Sequence, residues 1–221
     1  MLKRDAIMGE AIKRLLVIFI RLVVYFYFKI FHGIKFYGAE NVPENGPVLL
    51  VANHVSFYDP IVIGIGQKRW IKFMTLDVYF RVPILRTIIK LCGAFPVNQS
   101  KVDKKTFKEA IDTLKRGDIL GIFPEGGRSP DGQVQEAKPG IALIVTRVKA
   151  TIVPVTITGA FEAWPRARMF PLPKRICVHY HKPMMLDWDE CQKRKGDHEF
   201  YKRISDQIMD RIKDGFHKIK N

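Results

Sequence analysis

No feature constrains the fold of this chain more than residues 11–31, AIKRLLVIFIRLVVYFYFKIF, its most apolar stretch. The longest uninterrupted apolar runs, Leu15–Ile20 and Leu22–Phe28, fall short of the ~20 residues that cross a bilayer. Arg14, Arg21 and Lys29 recur at spacings of seven and eight. At 100° per residue they lie within roughly 80° of one another on a helix, and Lys3 falls on the same stripe. Leu, Ile, Val, Phe and Tyr fill the rest of the circumference. A narrow basic stripe beside a wide apolar face suits a helix lying in the lipid interface with its cations at the headgroups. Charges at bilayer depth cost about 2.5–3.5 kcal/mol each on the insertion scale, which disfavours spanning. A spanning helix and a buried core helix are the alternatives. A signal peptide fits poorly, because charges break the apolar run and no small-residue cleavage site follows. Nothing interrupts the pattern before Gly33. Residues 1–33 are therefore read as an amphipathic membrane-binding appendage of one or two helices, and residues 34–221 as the main domain.

From Ile34 onward the pattern changes to short apolar runs divided by turn signals. Pro47–Ala52, Trp70–Met74, Ala94–Val97, Ile119–Phe123, Thr151–Ile157 and Ile176–Tyr180 read as strands. Val102–Arg116 places Phe107, Ile111 and Leu114 on one helical face and stops at Gly117. Ile141–Val148 is a short apolar helix candidate. Phe200, Ile204, Ile208, Ile212 and Phe216 recur every four residues, as on an amphipathic helix packed against the domain. Strands alternating with helices predict an α/β layered sheet with flanking helices. The strand order cannot be read from this pattern.

Lys and Arg exceed Asp and Glu by 15, which favours an anionic partner. No helix-turn-helix or RNP-like signature accompanies the charge, so nucleic acid is not expected and an anionic membrane surface is. The basic, apolar stretch Trp70–Lys90 is the alternative anchor. Cys92, Cys177 and Cys191 are odd in number and far apart, which supports neither a disulfide framework nor a zinc site. His179 and His181 share one face of a strand, but two ligands make a poor metal site. Neither a metal nor a cofactor is expected.

Chemistry concentrates in two segments. In Asn53-His54-Val55-Ser56-Phe57-Tyr58-Asp59-Pro60, a histidine follows an apolar strand and a carboxylate precedes a helix-starting proline. A short loop can fold Asp59 onto His54, fixing the imidazole tautomer and leaving its other nitrogen free as a base. In Gly121-Ile122-Phe123-Pro124-Glu125-Gly126-Gly127-Arg128-Ser129, a second strand runs into a turn with two glycines, a carboxylate and a planar guanidinium suited to phosphate oxygens. Either segment alone is a weak signal.

Together, and in this order, they resemble the glycerolipid acyltransferase family. Asn53, His54 and Asp59 look like its NHxxxxD block. Phe123–Ser129 looks like its FPEGTRS block, with Gly127 where threonine is usual. Gly93–Val97 and Ile152–Val155 resemble two further blocks. Bacterial members acting on 1-acyl-glycerol-3-phosphate are the nearest likeness. The resemblance implies His54 and Asp59 as the catalytic pair, and Glu125, Gly126, Gly127, Arg128 and Ser129 as substrate-binding residues. It also implies lysophosphatidic acid as acceptor, acyl carrier protein or CoA thioester as donor, and the cytoplasmic face of the cell membrane as the location. Asn98 stands where the family usually has a phosphate-holding arginine, and Lys105 is the nominated substitute. Ile61–Ile65 and Val82–Phe95 are read as core, with an acyl-chain channel as the alternative. A glycerol-3-phosphate or other lysophospholipid acyltransferase, a hydrolase, and a non-enzymatic basic membrane binder are the rival functions.

Overall fold

The structure is a computed structural model describing residues 2–83, 86, 87, 89, 94–97, 104–138 and 140–219. It opens with one uninterrupted helix, α1 (Leu2–His32). Gly33 ends it by taking φ +49°, and the Ile34 N–H reaches back to the Phe28 carbonyl. This left-handed position is one that glycine occupies without steric cost.

The chain then builds a seven-stranded sheet from β1 (Lys35–Tyr37), β2 (Val48–Ala52), β3 (Ile71–Leu76), β4 (Phe95–Val97), β5 (Ile119–Ile122), β6 (Thr151–Thr158) and β7 (Cys177–Tyr180). Its order is β1-β7-β6-β2-β5-β3-β4. Every pairing is parallel except β6 with β7. Among the helices are α2 (Asp59–Ile65), α3 (Lys104–Lys115), α4 (Gly140–Val145), α5 (Ala160–Ala163), α6 (Trp188–Lys193) and α7 (His198–Ile219).

The expected layered α/β class is what forms. Central strands of a parallel sheet are covered on both faces, so they read as continuous apolar runs. Strand β2 shows this, with all five residues buried. Its Val48, Leu50 and Ala52 join Phe28, Val62, Ile63 and Tyr180 on one face, while Leu49 and Val51 join Leu114, Ile144, Ile204, Ile208 and Ile212 on the other. Helices α1 and α2 thus cover one side, and α3, α4 and α7 the other. The four-residue repeat of the C-terminal segment is the buried stripe of α7, as expected. Of the apolar tract 61–65, Val62 and Ile63 lie in the core and Ile61 is exposed. Half of 82–95 lies outside the described residues. Strand β1, three residues with alternating exposure at the sheet edge, was not signalled by any apolar run.

Helix α1 is arranged differently from the expectation about its cations. Arg21 faces the domain, not lipid headgroups: its guanidinium donates to the Ile65 and Lys68 carbonyls at 3.3 and 3.4 Å. These carbonyls follow the C-terminus of α2, where a cation is favoured by the helix dipole. Phe28 and His32 lie about two and three turns further along the same face and are buried. Leu15, Leu16, Phe19, Ile20, Leu22, Val23, Phe26, Ile30 and Phe31 remain exposed. The segment Leu15–His32 is long and apolar enough to cross a membrane by length and composition, and only 11% of it is buried in the protein.

Candidate active site

Strands β2 and β5 are parallel neighbours in register, Val51 opposite Ile122. Both therefore release their C-terminal loops at one edge of the sheet, although Val51 and Ile122 are 71 positions apart in sequence. From β2 the chain moves to β3 and β4 on one side. After β5 it crosses to β6 on the other. Such a reversal of strand order opens a crevice at the carboxyl ends, where open α/β sheets place ligands.

Asn53 leaves β2 as if the ladder continued. Its side-chain amide donates to Ile157 O at 3.0 Å and its oxygen accepts from Ile157 N–H at 2.8 Å, both fully buried. This side-chain rung stiffens the backbone just before His54. The His54 Nδ1 then lies 2.7 Å from Asp59 Oδ2. The same oxygen accepts the Val55 and Ser56 N–H groups at 2.6 and 2.7 Å. Asp59, fully buried in the first turn of α2, is thereby held by three donors. Because the carboxylate accepts from Nδ1, the neutral imidazole carries its proton there and Nε2 is the basic nitrogen. The ring stacks on Phe123 at 4.0 Å between centroids and 16° between planes. The imidazole is fixed in position and orientation.

The second segment wraps the same histidine. Glu125 Oε1 accepts the His54 N–H at 3.1 Å, and the Ser129 N–H donates to His54 O at 2.7 Å. Burial, reinforced by the nearby Asp59 charge, pushes the Glu125 carboxyl up to about 8. Gly126 adopts φ +71°, and a Cβ there would meet the Lys138 side chain. Gly127 has open space at that position, which explains how glycine and threonine can interchange there. The Arg128 guanidinium lies 3.5 Å above the Phe57 ring centroid, and its Nη2 is 3.5 Å from the Tyr79 hydroxyl. Desolvation lowers its pKa from the usual arginine value, yet the group stays charged in water.

Buried polar atoms are normally paired. Three described residues break this rule, with Asp59 Oδ1, Glu125 Oε2 and Arg128 Nη1 all lacking a partner in the protein. All three belong to the two segments. Concentration at one place marks a surface built to meet a polar ligand.

The segments carrying His54, Asp59, Glu125, Gly126, Gly127 and Arg128 are thus brought together. Ser129 is adjacent, but its buried hydroxyl donates to Asp131 at 2.8 Å and its main chain anchors the loop. Lys105 sits exposed in the first turn of α3, and no described contact joins it to the cluster. Asn98 lies outside the described residues. Ser56 is no free nucleophile, since its hydroxyl donates to Trp164 O at 2.8 Å. Phe57, Tyr79 and Lys138 are site residues that sequence reasoning missed. Phe57 lay inside the first segment without a role, Lys138 follows the second segment by nine residues without a pattern to mark it, and Tyr79 is distant in sequence from both. His179 and His181 do face one another, 4.3 Å between ring centroids, and His181 Nε2 is 2.8 Å from Thr156 Oγ1. Among the described residues no group of three or more His, Cys, Asp or Glu is placed to hold a metal.

Fold and cluster define a class: α/β proteins with a histidine–aspartate pair and an arginine on adjacent parallel strand ends. Residues 33–158, more than half of the chain, match the Acyltransferase family, and the chain belongs to that family. Two curated relatives are named 1-acyl-sn-glycerol-3-phosphate acyltransferase. The chloroplastic protein from Arabidopsis thaliana is 30% identical over 161 residues, covering 70% of this chain and 44% of its own length. The Bacillus subtilis protein is 30% identical over 128 residues, covering 58% of this chain and 63% of its own. The chain thus spans about half the length of the curated relatives it matches. The crystal structure of a 1-acyl-sn-glycerophosphate acyltransferase from Thermotoga maritima shares the fold, with TM-score 0.76 and 24% identity over 96% of this chain and 83% of that one.

Proposed function

We propose that this chain transfers a fatty acyl group from an acyl thioester to the sn-2 hydroxyl of 1-acyl-glycerol-3-phosphate, giving phosphatidic acid. The observation that carries the reading is His54 with Nδ1 committed to Asp59, on the same sheet edge as an Arg128 whose buried Nη1 has no protein partner. His54 Nε2 takes the proton of the acceptor hydroxyl as its oxygen bonds to the thioester carbonyl carbon. The tetrahedral oxyanion then collapses, the carbon–sulfur bond breaks, and the imidazolium returns the proton to the departing thiolate. Asp59 holds the ring and stabilises the imidazolium. No acyl-enzyme is needed, and the engaged Ser56 hydroxyl supports direct transfer. Arg128, with the turn at Gly126 and Gly127, receives the acceptor phosphate. A Glu125 that holds its proton near neutral pH adds no repulsion toward that anion.

The relatives' names support the acceptor. The net positive charge suits an anionic membrane surface and either CoA or an acidic carrier protein as donor. The exposed apolar face of α1 supports membrane association, and the cytoplasmic face is where such donors reside. The test is purified chain with labelled acyl-CoA or acyl carrier protein and three acceptor conditions: 1-acyl-glycerol-3-phosphate, glycerol-3-phosphate, or none. Phosphatidic acid as the main product is expected, falling by several orders of magnitude in His54→Ala while the protein still binds vesicles. Free fatty acid as the main product would instead identify a hydrolase.

A further inference from the structure

The loop Pro165–Arg175, between α5 and β7, carries the two most exposed large apolar side chains among the described residues outside α1, Met169 at 79% and Phe170 at 71%, together with the exposed Leu172. Around them Arg166, Arg168, Lys174 and Arg175 are all exposed. No Asp or Glu occurs between Glu162 and Asp187, and none of these cations is in an ion pair among the described residues. A soluble surface ordinarily scatters such apolar groups and intersperses charge sign. Here an apolar tip is ringed by cations only. Pro165, Pro171 and Pro173 restrict the loop, so ordering it on a partner costs little backbone entropy.

The base of the loop is fixed to two places that matter. On one side, His32 Nδ1, in the last turn of α1, donates to Lys174 O at 3.0 Å, and the Ile176 N–H donates to His32 O at 3.1 Å. That last turn exposes Ile30 and Phe31. On the other side, Ser56 Oγ donates to Trp164 O, and the Trp164 ring packs against Phe57 and Tyr58 of the histidine–aspartate loop. Arg166 lies near enough to Arg128 for their charges to repel. The base of the loop is therefore anchored both at the end of α1 and beside the site.

We infer that residues 165–175 form a second membrane contact, in which Met169, Phe170 and Leu172 enter the headgroup–acyl boundary and Arg166, Arg168, Lys174 and Arg175 meet anionic lipid phosphates. This rests on the membrane association proposed above. Apolar insertion beside cations is the combination that holds peripheral segments on anionic bilayers. The loop brings the lipid surface to the rim of the site, so an acceptor lipid travels sideways out of the bilayer and not through water. An acidic carrier protein would match the charge, but it leaves the exposed apolar tip, on a loop anchored to the end of α1, without purpose.

The test uses the full chain with Phe170→Trp, mixed with vesicles of phosphatidylglycerol and phosphatidylcholine whose acyl chains are brominated near the headgroup. The added tryptophan should shift its emission to the blue and lose about half of it to the bromines, relative to the parent chain, which has its own tryptophans. Replacing Arg168, Lys174 and Arg175 by glutamine should abolish that response while α1 keeps the protein on the vesicles. No added shift or quenching, with the protein still sedimenting with vesicles, overturns the inference. So does a response that appears only on adding acyl carrier protein. The readout needs no turnover. A chain that fails as an acyltransferase but shows the quenching refutes the proposed function alone.

Discussion

Replacing Asp59 with asparagine separates two things a carboxylate does for a histidine: setting its tautomer and carrying charge. In many such pairs an amide can turn its NH2 toward the ring and force the opposite tautomer, at a cost near 10⁴ in rate. That route is closed here. Asp59 Oδ2 receives His54 Nδ1 and also the Val55 and Ser56 amides at 2.6 and 2.7 Å. An NH2 group in that place would point its hydrogens at two backbone N–H donors, while an amide oxygen satisfies all three. The asparagine must therefore present its oxygen, so the tautomer survives and the charge is lost. Hydrogen bonds to charged groups contribute about 1.5–3 kcal/mol against about 0.5–1.5 for neutral ones. The asparagine keeps the neutral bond, so the difference, about 1–1.5 kcal/mol in stabilising the imidazolium, lowers kcat roughly 5- to 13-fold. Asp59→Ala should fall much further, because it frees the ring and strands two buried amides. The assay is thiol release at saturating acyl-CoA and acceptor, together with ¹⁵N spectra of the imidazole. An asparagine variant as inactive as His54→Ala, or a spectrum with the proton on Nε2, would refute the reasoning.

Other consequences are equally measurable. Arg128→Lys loses the planar stack on Phe57 and should raise KM for the phosphate-bearing acceptor by about tenfold, with a smaller change in KM for the acyl donor. Because the folded Glu125 holds its proton up to about 8, the folded state binds more protons than the unfolded one between the ordinary carboxylate range and that pH. Stability should therefore fall as pH rises through this window, and Glu125→Gln should flatten the melting-temperature profile. Gly126→Ala, forced into φ +71° against Lys138, should cost about 1 kcal/mol in denaturant melts, whereas Gly127→Thr should be close to neutral. Tyr58→Phe removes the 2.9 Å bond to the Tyr27 hydroxyl and should lower Tm by about 2–4 °C by calorimetry.

What the sequence made legible depended on whether the cause was local. The buried strands and the stripe of α7 were readable because burial writes its period directly into neighbouring residues. His54, Asp59, Glu125 and Arg128 were readable because each follows a strand end within a few positions. Strand order was not, since nothing near β2 announces that β5, 71 positions on, will pair beside it. For the same reason Tyr79 gave no signal, since its place beside Arg128 is set by a crossover, whereas Lys138 is brought to Gly126 by the return of its own loop, its N–H donating to Pro124 O. Arg21 shows a different limit. It was placed on a lipid-facing stripe but turns to α2, because carbonyls at a helix C-terminus satisfy a guanidinium as well as headgroups would.

The main chain of His54 is held on both sides by the later segment, its N–H on Glu125 and its carbonyl on the Ser129 amide. In the language of inheritance, the two segments are one cassette written in two places. Exchange between relatives that replaces one without the other should misplace the imidazole even where both parental versions are functional. Exchange confined to residues 66–117, which carry β3 and α3 but neither segment, leaves the cassette whole. Diversity among such proteins is then expected to accumulate in the intervening stretch, while substitutions on the two sides of it are inherited together.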